Sequence, residues 1–295
     1  MLKYGIALFF VFCLTAVSAL EEDDVRSVEP EELEKLLDEG NFEEFSKLMR
    51  IDDVNLVIPK DDGSDPMFHE GVPLGDILIP KGEEELEEGD EEEESERAVL
   101  NFRKYGGNKW PNGVVPFAIA NNHYNNAQRA TIYNAINDYN AKNTGTRFVP
   151  RSNQRDYVMI FSGNGCYSYL GRIGNQQALS LQRNGCVHHA IVQHEMIHAV
   201  GFTHEQNRPD RDNFVRVLWE NIPREWHSQY RKGNSDDWVT TTDYDYYSVM
   251  HYGMRAPGTG RRAFQILRGG IDERYVGQRG GMTGLDVQKI RNAYR

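Results

Sequence analysis

Cysteine is scarce in this chain, with three among 295 residues, and the first of them, Cys13, lies in an apolar run at the amino end. So few thiols exclude a disulfide-dense miniature fold. Beyond that first run, no stretch comes near the roughly 20 consecutive apolar residues needed to span a bilayer, so no membrane span is expected. The chain contains no Asn-x-Ser/Thr triplet, and N-glycosylation is not expected. Basic and aromatic residues are not interleaved in clusters and no recognised nucleic-acid module is present, which argues against a nucleic-acid partner.

What is present begins with a leader. Met1-Leu2-Lys3, the apolar run Ile6 to Leu14 and the small-residue site Val17-Ser18-Ala19 form a secretory signal over residues 1–19, so a secreted, extracellular product is expected. With Cys13 removed, Cys166 and Cys186 remain, an even pair in an oxidising compartment. They read as one disulfide closing a loop of about 20 residues, stabilising by about 3 kcal/mol in the chain-entropy treatment.

Charge then divides the chain. Residues 20–97 carry 30 acidic and 7 basic side chains, whereas residues 98–295 carry 15 acidic and 25 basic ones. An acidic segment thus precedes a basic domain, and the two attract one another. The run Glu83 to Glu96 is too charged and too poor in apolar residues to bury surface, and is expected to be an accessible linker. Pro30 to Met49 places Leu33, Leu36, Leu37, Phe42, Phe45 and Leu48 at helical spacing.

In the basic domain, Trp110-Pro111-Asn112-Gly113 reads as a turn, followed by a strand from Val114 to Ala120 and a helix from Asn126 to Asn140. Strands are expected at Arg147 to Val149, Tyr157 to Phe161, Cys166 to Leu170 and Ala178 to Leu181, and a further helix from about Val187 to Val200. Beyond Gly201 the pattern is turn-rich and less regular.

That last helix carries the chemistry. His194 and His198 stand at i and i+4 on one helical face and can converge on one ion. His204 lies six residues further, about 9 Å along a helix that continued, too far to share a metal bound at about 2 Å. The helix must therefore end, and Gly201 can accept the left-handed conformation that turns the chain back. Three neutral histidines leave a tetrahedral zinc one open position. Glu195 sits beside His194 and reaches that position without being a ligand, as a general base would. His188, His189 and His251 receive no role, and His123 and His227 fall outside the pattern.

His194-Glu195-x-x-His198-x-x-Gly201-Phe202-x-His204-Glu205, continued by Arg208, Asp210, Arg211 and Asp212, resembles the signature of the astacin family of zinc metalloendopeptidases, in the metzincin clan. Ser248-Val249-Met250-His251-Tyr252 is similar to that family's Met-turn. The resemblance covers residues 98–295 and implies an α+β, two-lobed metzincin catalytic domain. A mixed twisted sheet and the zinc helix would form its N-terminal lobe, and an irregular C-terminal lobe would follow. One Zn2+ per domain is implied, held by His194, His198 and His204, with Met250 beneath it and Tyr252 as a further ligand that swings away to hold the oxyanion.

Residues 20–97 would be an inhibitory propeptide. In Pro73-Leu74-Gly75-Asp76 the family's Gly-Asp is kept while Pro73 stands where an aromatic belongs, and Asp76 would be the carboxylate that blocks the zinc. A trypsin-like protease cutting after Arg97, or at Arg103-Lys104, would activate the chain, and the new amino terminus would reach Glu205. The strand from Cys166 to Gly171 would be the edge on which an extended protein or peptide substrate adds. The family's second disulfide is missing at both ends: Gly145 stands at one cysteine position, and the chain stops at Tyr294-Arg295 before the other. The expected activity is hydrolysis of internal peptide bonds in extracellular or dietary proteins, by a secreted zymogen without appended interaction modules.

Overall fold

The computed structural model describes residues 76–78, 108–233 and 242–295. The signal, the Pro30 to Met49 helices, the acidic run, and the cuts at Arg97 and Arg103-Lys104 lie outside the described residues. So does the boundary between propeptide and domain.

Six strands form one mixed sheet: β1 (Ile77–Leu78), β2 (Val114–Ile119), β3 (Arg147–Pro150), β4 (Tyr157–Phe161), β5 (Cys166–Tyr169) and β6 (Gln176–Leu181), in the order β1-β5-β6-β4-β2-β3. All pairings are parallel except β5 with β6. The buried strands read as near-continuous apolar runs because both faces are covered; every side chain of Tyr157 to Phe161 is buried. Expectation and structure agree on these elements to within two residues at each end, and β1 was not foreseen.

Helix α1 (Asn126–Ala141) is started by a capping box in which Asn125 and Gln128 satisfy each other's backbone N–H. It lays Ile132, Ala135, Ile136 and Tyr139 against the sheet. Helix α2 (His189–Ala199) is buried at nearly every position, so it has no polar face to place in water. Trp110, fixed by the Pro111–Gly113 turn, donates its indole N–H to Ala199 O at 2.7 Å and closes the end of this helix. Cys166 and Cys186 are joined, tying β5 to the segment that enters α2.

Past Gly201 the chain is a series of short 3-10 turns with a two-stranded antiparallel ribbon, β7 (Val215–Val217) and β8 (Phe264–Ile266), and a final helix α3 (Gly284–Tyr294). The ribbon and α3 were missed by the sequence reading. Thr283 and Asp286 form a capping box that starts α3, a Thr-x-x-acid signal that is legible in the sequence once the helix is known.

Two separate apolar cores result. One joins the sheet, α1, α2 and Met250, and contains Trp110, Ile136, Phe148, Ile160, Met196 and Val249. The other fills the C-terminal half around Val215, Tyr230, Tyr244, Tyr252 and Phe264. The segment Ser248 to Tyr252 runs from the first into the second, and the lobes meet there. Among the described residues no helix is long and apolar enough to cross a membrane.

Candidate functional site

Helix α2 ends as the spacing requires. Gly201 adopts φ +102°, its N–H bonds His198 O at 2.8 Å, and Phe202 N–H bonds Ile197 O at 3.2 Å. These two bonds form a Schellman closure that satisfies the last carbonyls and reverses the chain. The reversal carries His204 back beside the helix, and the His194, His198 and His204 rings lie with centroids 4.6 to 5.3 Å apart.

The ring orientations are set by backbone carbonyls. His194 Nδ1 donates to Val249 O at 2.8 Å, and His198 Nδ1 donates to Phe202 O at 2.6 Å. Since a carbonyl can only accept, each Nδ1 carries the hydrogen and each Nε2 is left with a lone pair. Those lone pairs face a carboxylate. Asp76 Oδ2 lies 3.0 Å from His194 Nε2, and Asp76 Oδ1 lies 3.5 Å from His198 Nε2 and 3.0 Å from His204 Nε2.

Acceptor against acceptor at these distances is repulsive unless a cation sits among them. The donor atoms of Asp76, His194, His198 and His204 all lie within 4.8 Å of one another. Tetrahedral bonds of about 2.1 Å put ligand atoms about 3.4 Å apart, so the four atoms fit a zinc-sized ion. Asp76 Oδ1 and His198 Nε2, both buried, have no hydrogen-bond partner among the described residues.

Electrostatics agree. Burial lowers the His194 pKa to about 3, and burial likewise lowers that of His204, so both rings are neutral donors. Burial alone would raise the Asp76 carboxyl, but positive charge placed at His204 and His198, as a bound cation would also supply, holds it well below the usual carboxylate range. Glu195 moves the other way: burial, then the charge of Asp76, push its carboxyl well above the ordinary value. Both Glu195 oxygens are buried without a hydrogen-bond partner among the described residues.

Met250, Tyr252 and Glu205 lie around this cluster. Met250 is buried, and its carbonyl accepts from Glu205 N–H at 3.0 Å. Tyr252 packs its ring on His204, centroids 4.5 Å apart, while its hydroxyl donates to Gln229 Oε1 at 3.2 Å. Glu205 is buried and accepts from Arg208 Nη1 and Asp245 N–H. Arg208 also forks onto Asp210, and Arg211 holds the carbonyls of Gln206 and Tyr230, which locks the loop after His204.

The histidines without a role are accounted for by packing. His251 is buried, donates from Nδ1 to Tyr252 O and accepts from the Tyr244 hydroxyl; burial lowers its pKa to about 4. His123 accepts from Ser162 N–H, His227 donates to Ile222 O, and His188 is the N-cap of α2 while His189 opens it.

Two residues of the site were not foreseen. Asp286, at the start of α3, accepts from Ser248 Oγ and from Val249 N–H, fixing the peptide whose carbonyl orients His194. The positive charge of Arg279 favours the ionised form of Glu195 and opposes protonation of His204. Arg279 rides on a loop that packs tightly: Gly277 has φ +74° and a Cβ there would meet Gly253 backbone at 2.4 Å, so only glycine fits.

The sequence profile of the Astacin peptidase family matches residues 102–295. The chain belongs to the astacin family. It is 31% identical over 288 residues to the low choriolytic enzyme of Oryzias latipes, covering 96% of this chain and 95% of that protein. Zinc metalloproteinase nas-4 of Caenorhabditis elegans is 36% identical over 225 residues, covering 75% of this chain and 68% of that protein. Among solved structures, high choriolytic enzyme 1, a hatching enzyme zinc-protease from Oryzias latipes, superimposes with a TM-score of 0.58 at 36% identity, covering 68% of this chain and 98% of that one. This astacin is therefore a zinc metalloendopeptidase with the two-lobed α+β architecture expected from its motifs.

The turn at Gly201 gives a direct check. Gly201→Ala forces a side chain into the left-handed region, a cost of about 1–2 kcal/mol per residue. The expected outcome is a matching loss in thermal or denaturant stability together with faster zinc loss to a chelator; an alanine variant that holds zinc as the parent does would contradict the role given to this turn.

Proposed function

We propose that this astacin is a secreted, latent endopeptidase whose zinc is held by His194, His198 and His204 and blocked by Asp76. The observation that carries the reading is the Asp76 carboxylate lodged against three ring nitrogens, two of them left as lone-pair donors by the carbonyls that hold their rings. A cation held by these four residues would relieve the repulsion between the carboxylate and the ring lone pairs, and Asp76 would then stand where the catalytic water must bind.

The segment after Asp76 strengthens the blockade. Ile77 and Leu78 pair in parallel with Ser168 and Tyr169, and Ser168 N–H donates to Asp76 O at 2.9 Å. This is the β5 edge on which an extended substrate would add, so residues 76–78 occupy both the edge and the ion. Removal of the propeptide by a trypsin-like protease frees both. The signal at residues 1–19 would deliver the chain to the extracellular space.

In the freed cleft, zinc supplies a Lewis acid that polarises the scissile carbonyl and acidifies water. Glu195 takes a proton from the attacking water and returns it to the leaving amine. Its oxygens, buried and without a hydrogen-bond partner among the described residues, are free to take that proton. Tyr252 would turn from Gln229 to donate its phenol to the oxyanion, with His251 holding its main chain in place.

Substrates are extracellular or dietary proteins. The relative that aligns over nearly the whole chain is named a choriolytic enzyme, which supports counting egg-envelope proteins among them. Arg279, near Glu195, and the basic domain favour an acidic side chain just after the cut.

Glu195→Gln should lower kcat by about 10²- to 10⁴-fold with zinc content unchanged. Loss of a charge-assisted contact of about 1.5–3 kcal/mol should let uncleaved Asp76→Ala protein hydrolyse a quenched peptide about 10- to 100-fold faster than the uncleaved parent. An uncut Asp76→Ala chain as silent as the parent would remove the blockade from the account. Arg279→Ala should narrow the preference for Asp or Glu after the cut by about fivefold in a peptide-library profile, the size of a partly screened ion pair. An unaltered profile would dissociate Arg279 from substrate.

A further inference from the structure

At the end of α2 the carbonyls of Ile197, His198, Ala199 and Val200 lie beyond the last regular helical bond, and donors from separate parts of the chain take them. Ile197 O accepts from Phe202 N–H and His198 O from Gly201 N–H, the local closure; His198 O also accepts from Gly171 N–H, just past β5, at 2.9 Å. Ala199 O accepts from the Trp110 indole, and Val200 O accepts from the Tyr294 hydroxyl at 3.0 Å. Tyr294 is the last residue of α3, 94 residues further along the chain. Val200 is fully buried, so a carbonyl stripped of that hydroxyl would have no water to turn to.

Val200 O and Gly201 N–H belong to one peptide unit, held on one side by Tyr294 and on the other by His198 O. This is the unit at which the chain turns back. Two parts of the site hang from it: Phe202 O, which takes the Nδ1 hydrogen of His198, and His204, two residues after Phe202. A shift of this peptide therefore reaches two of the three inward nitrogens. Helix α3 delivers Tyr294 from a seat of its own. Arg291 donates to Asn143 O and Lys142 O at the end of α1, Lys109 donates to Ala293 O, and Lys289 pairs with Glu205. Burial pushes the Tyr294 phenol up, so it keeps the hydrogen it donates.

We propose that Tyr294 is a positioning residue for the metal site: its hydroxyl fixes the Val200–Gly201 peptide and, through that peptide, the tautomer of His198 and the return of His204. The ligand set is then held in part from α3, by a residue that touches neither the ion nor a histidine ring. This rests on the zinc reading given above and deepens it.

The test uses the full-length chain, and zinc content of the parent is measured first: a parent without zinc would defeat the metal reading itself, whereas the comparisons between variants bear on Tyr294 alone. Tyr294→Phe removes only the hydroxyl. Zinc should pass from it to a chelator about tenfold faster than from the parent, and the visible absorption bands of the Co2+-loaded protein should shift. After cutting by a trypsin-like protease, kcat should fall about fivefold with KM little changed. Arg291→Met loosens α3 at its α1 contact without touching Val200; it should lower denaturant stability about as much, yet leave the Co2+ bands in place and zinc loss within about twofold of the parent. Should Tyr294→Phe fail to fold, 4-fluorophenylalanine at position 294 fills the space of the hydroxyl without donating and is read in the same way. The proposal is overturned if the variant at position 294 keeps the parent's zinc-loss rate and Co2+ bands, or if Arg291→Met alters both to the same extent, since Tyr294 would then act on stability alone.

Discussion

The arrangement depends on which nitrogen of each imidazole bears the hydrogen. Val249 O and Phe202 O each capture an Nδ1–H, and that choice alone turns two lone pairs inward. Were either carbonyl displaced, the ring could take its other tautomer and present a hydrogen to the site instead of a pair of electrons. Much of the surrounding structure keeps those two carbonyls where they are. Phe202 is placed by the left-handed glycine before it, and Val249 by the Asp286 carboxylate that grips its N–H.

This explains why so much of the C-terminal lobe is spent on polar anchors and so little on regular elements. The Ser248 to Tyr252 segment must satisfy two cores at once, with Met250 belonging to one and Tyr252 to the other. A helix or long strand would commit all its side chains to one partner. An irregular segment held by Asp286, Gln206 and His251 can turn successive residues toward different neighbours. Buried polar groups of this kind are stable only when each has its partner, and here nearly all do.

The N-terminal lobe and the histidine cluster were legible because both obey strong local rules: strands Tyr157–Phe161 and Cys166–Tyr169 are short runs bounded by turns, and the convergence of His194, His198 and His204 follows from helical period plus one obligatory stop. The C-terminal lobe was less legible because its order comes from contacts between residues far apart in sequence. Lys289 reads as an ordinary surface lysine, and Asp286 as a solvated carboxylate, until the fold brings them to Glu205 and Val249. That one cysteine position holds Gly145 is plain in the sequence, but what stands in place of the bridge is not. Gly145 lies against Tyr294, where a Cβ would touch the tyrosine Cβ at 3.4 Å, and Arg291 grips the carbonyls that close α1.

On the proposed reading, the Asp76 carboxylate ties latency to the metal. Among the described residues, Ile77 and Leu78 pair with the β5 edge and Asp76 meets the ring nitrogens; on the reading advanced here these residues hold the cleft through the ion that Asp76 shares with the histidines. Two binding equilibria that meet at one atom must be coupled with equal strength in both directions. On the proposed reading the segment around Asp76 would protect the metal from loss as firmly as the metal retains the segment, and a precursor passing through metal-poor surroundings would carry its own guard against demetallation until it is cut.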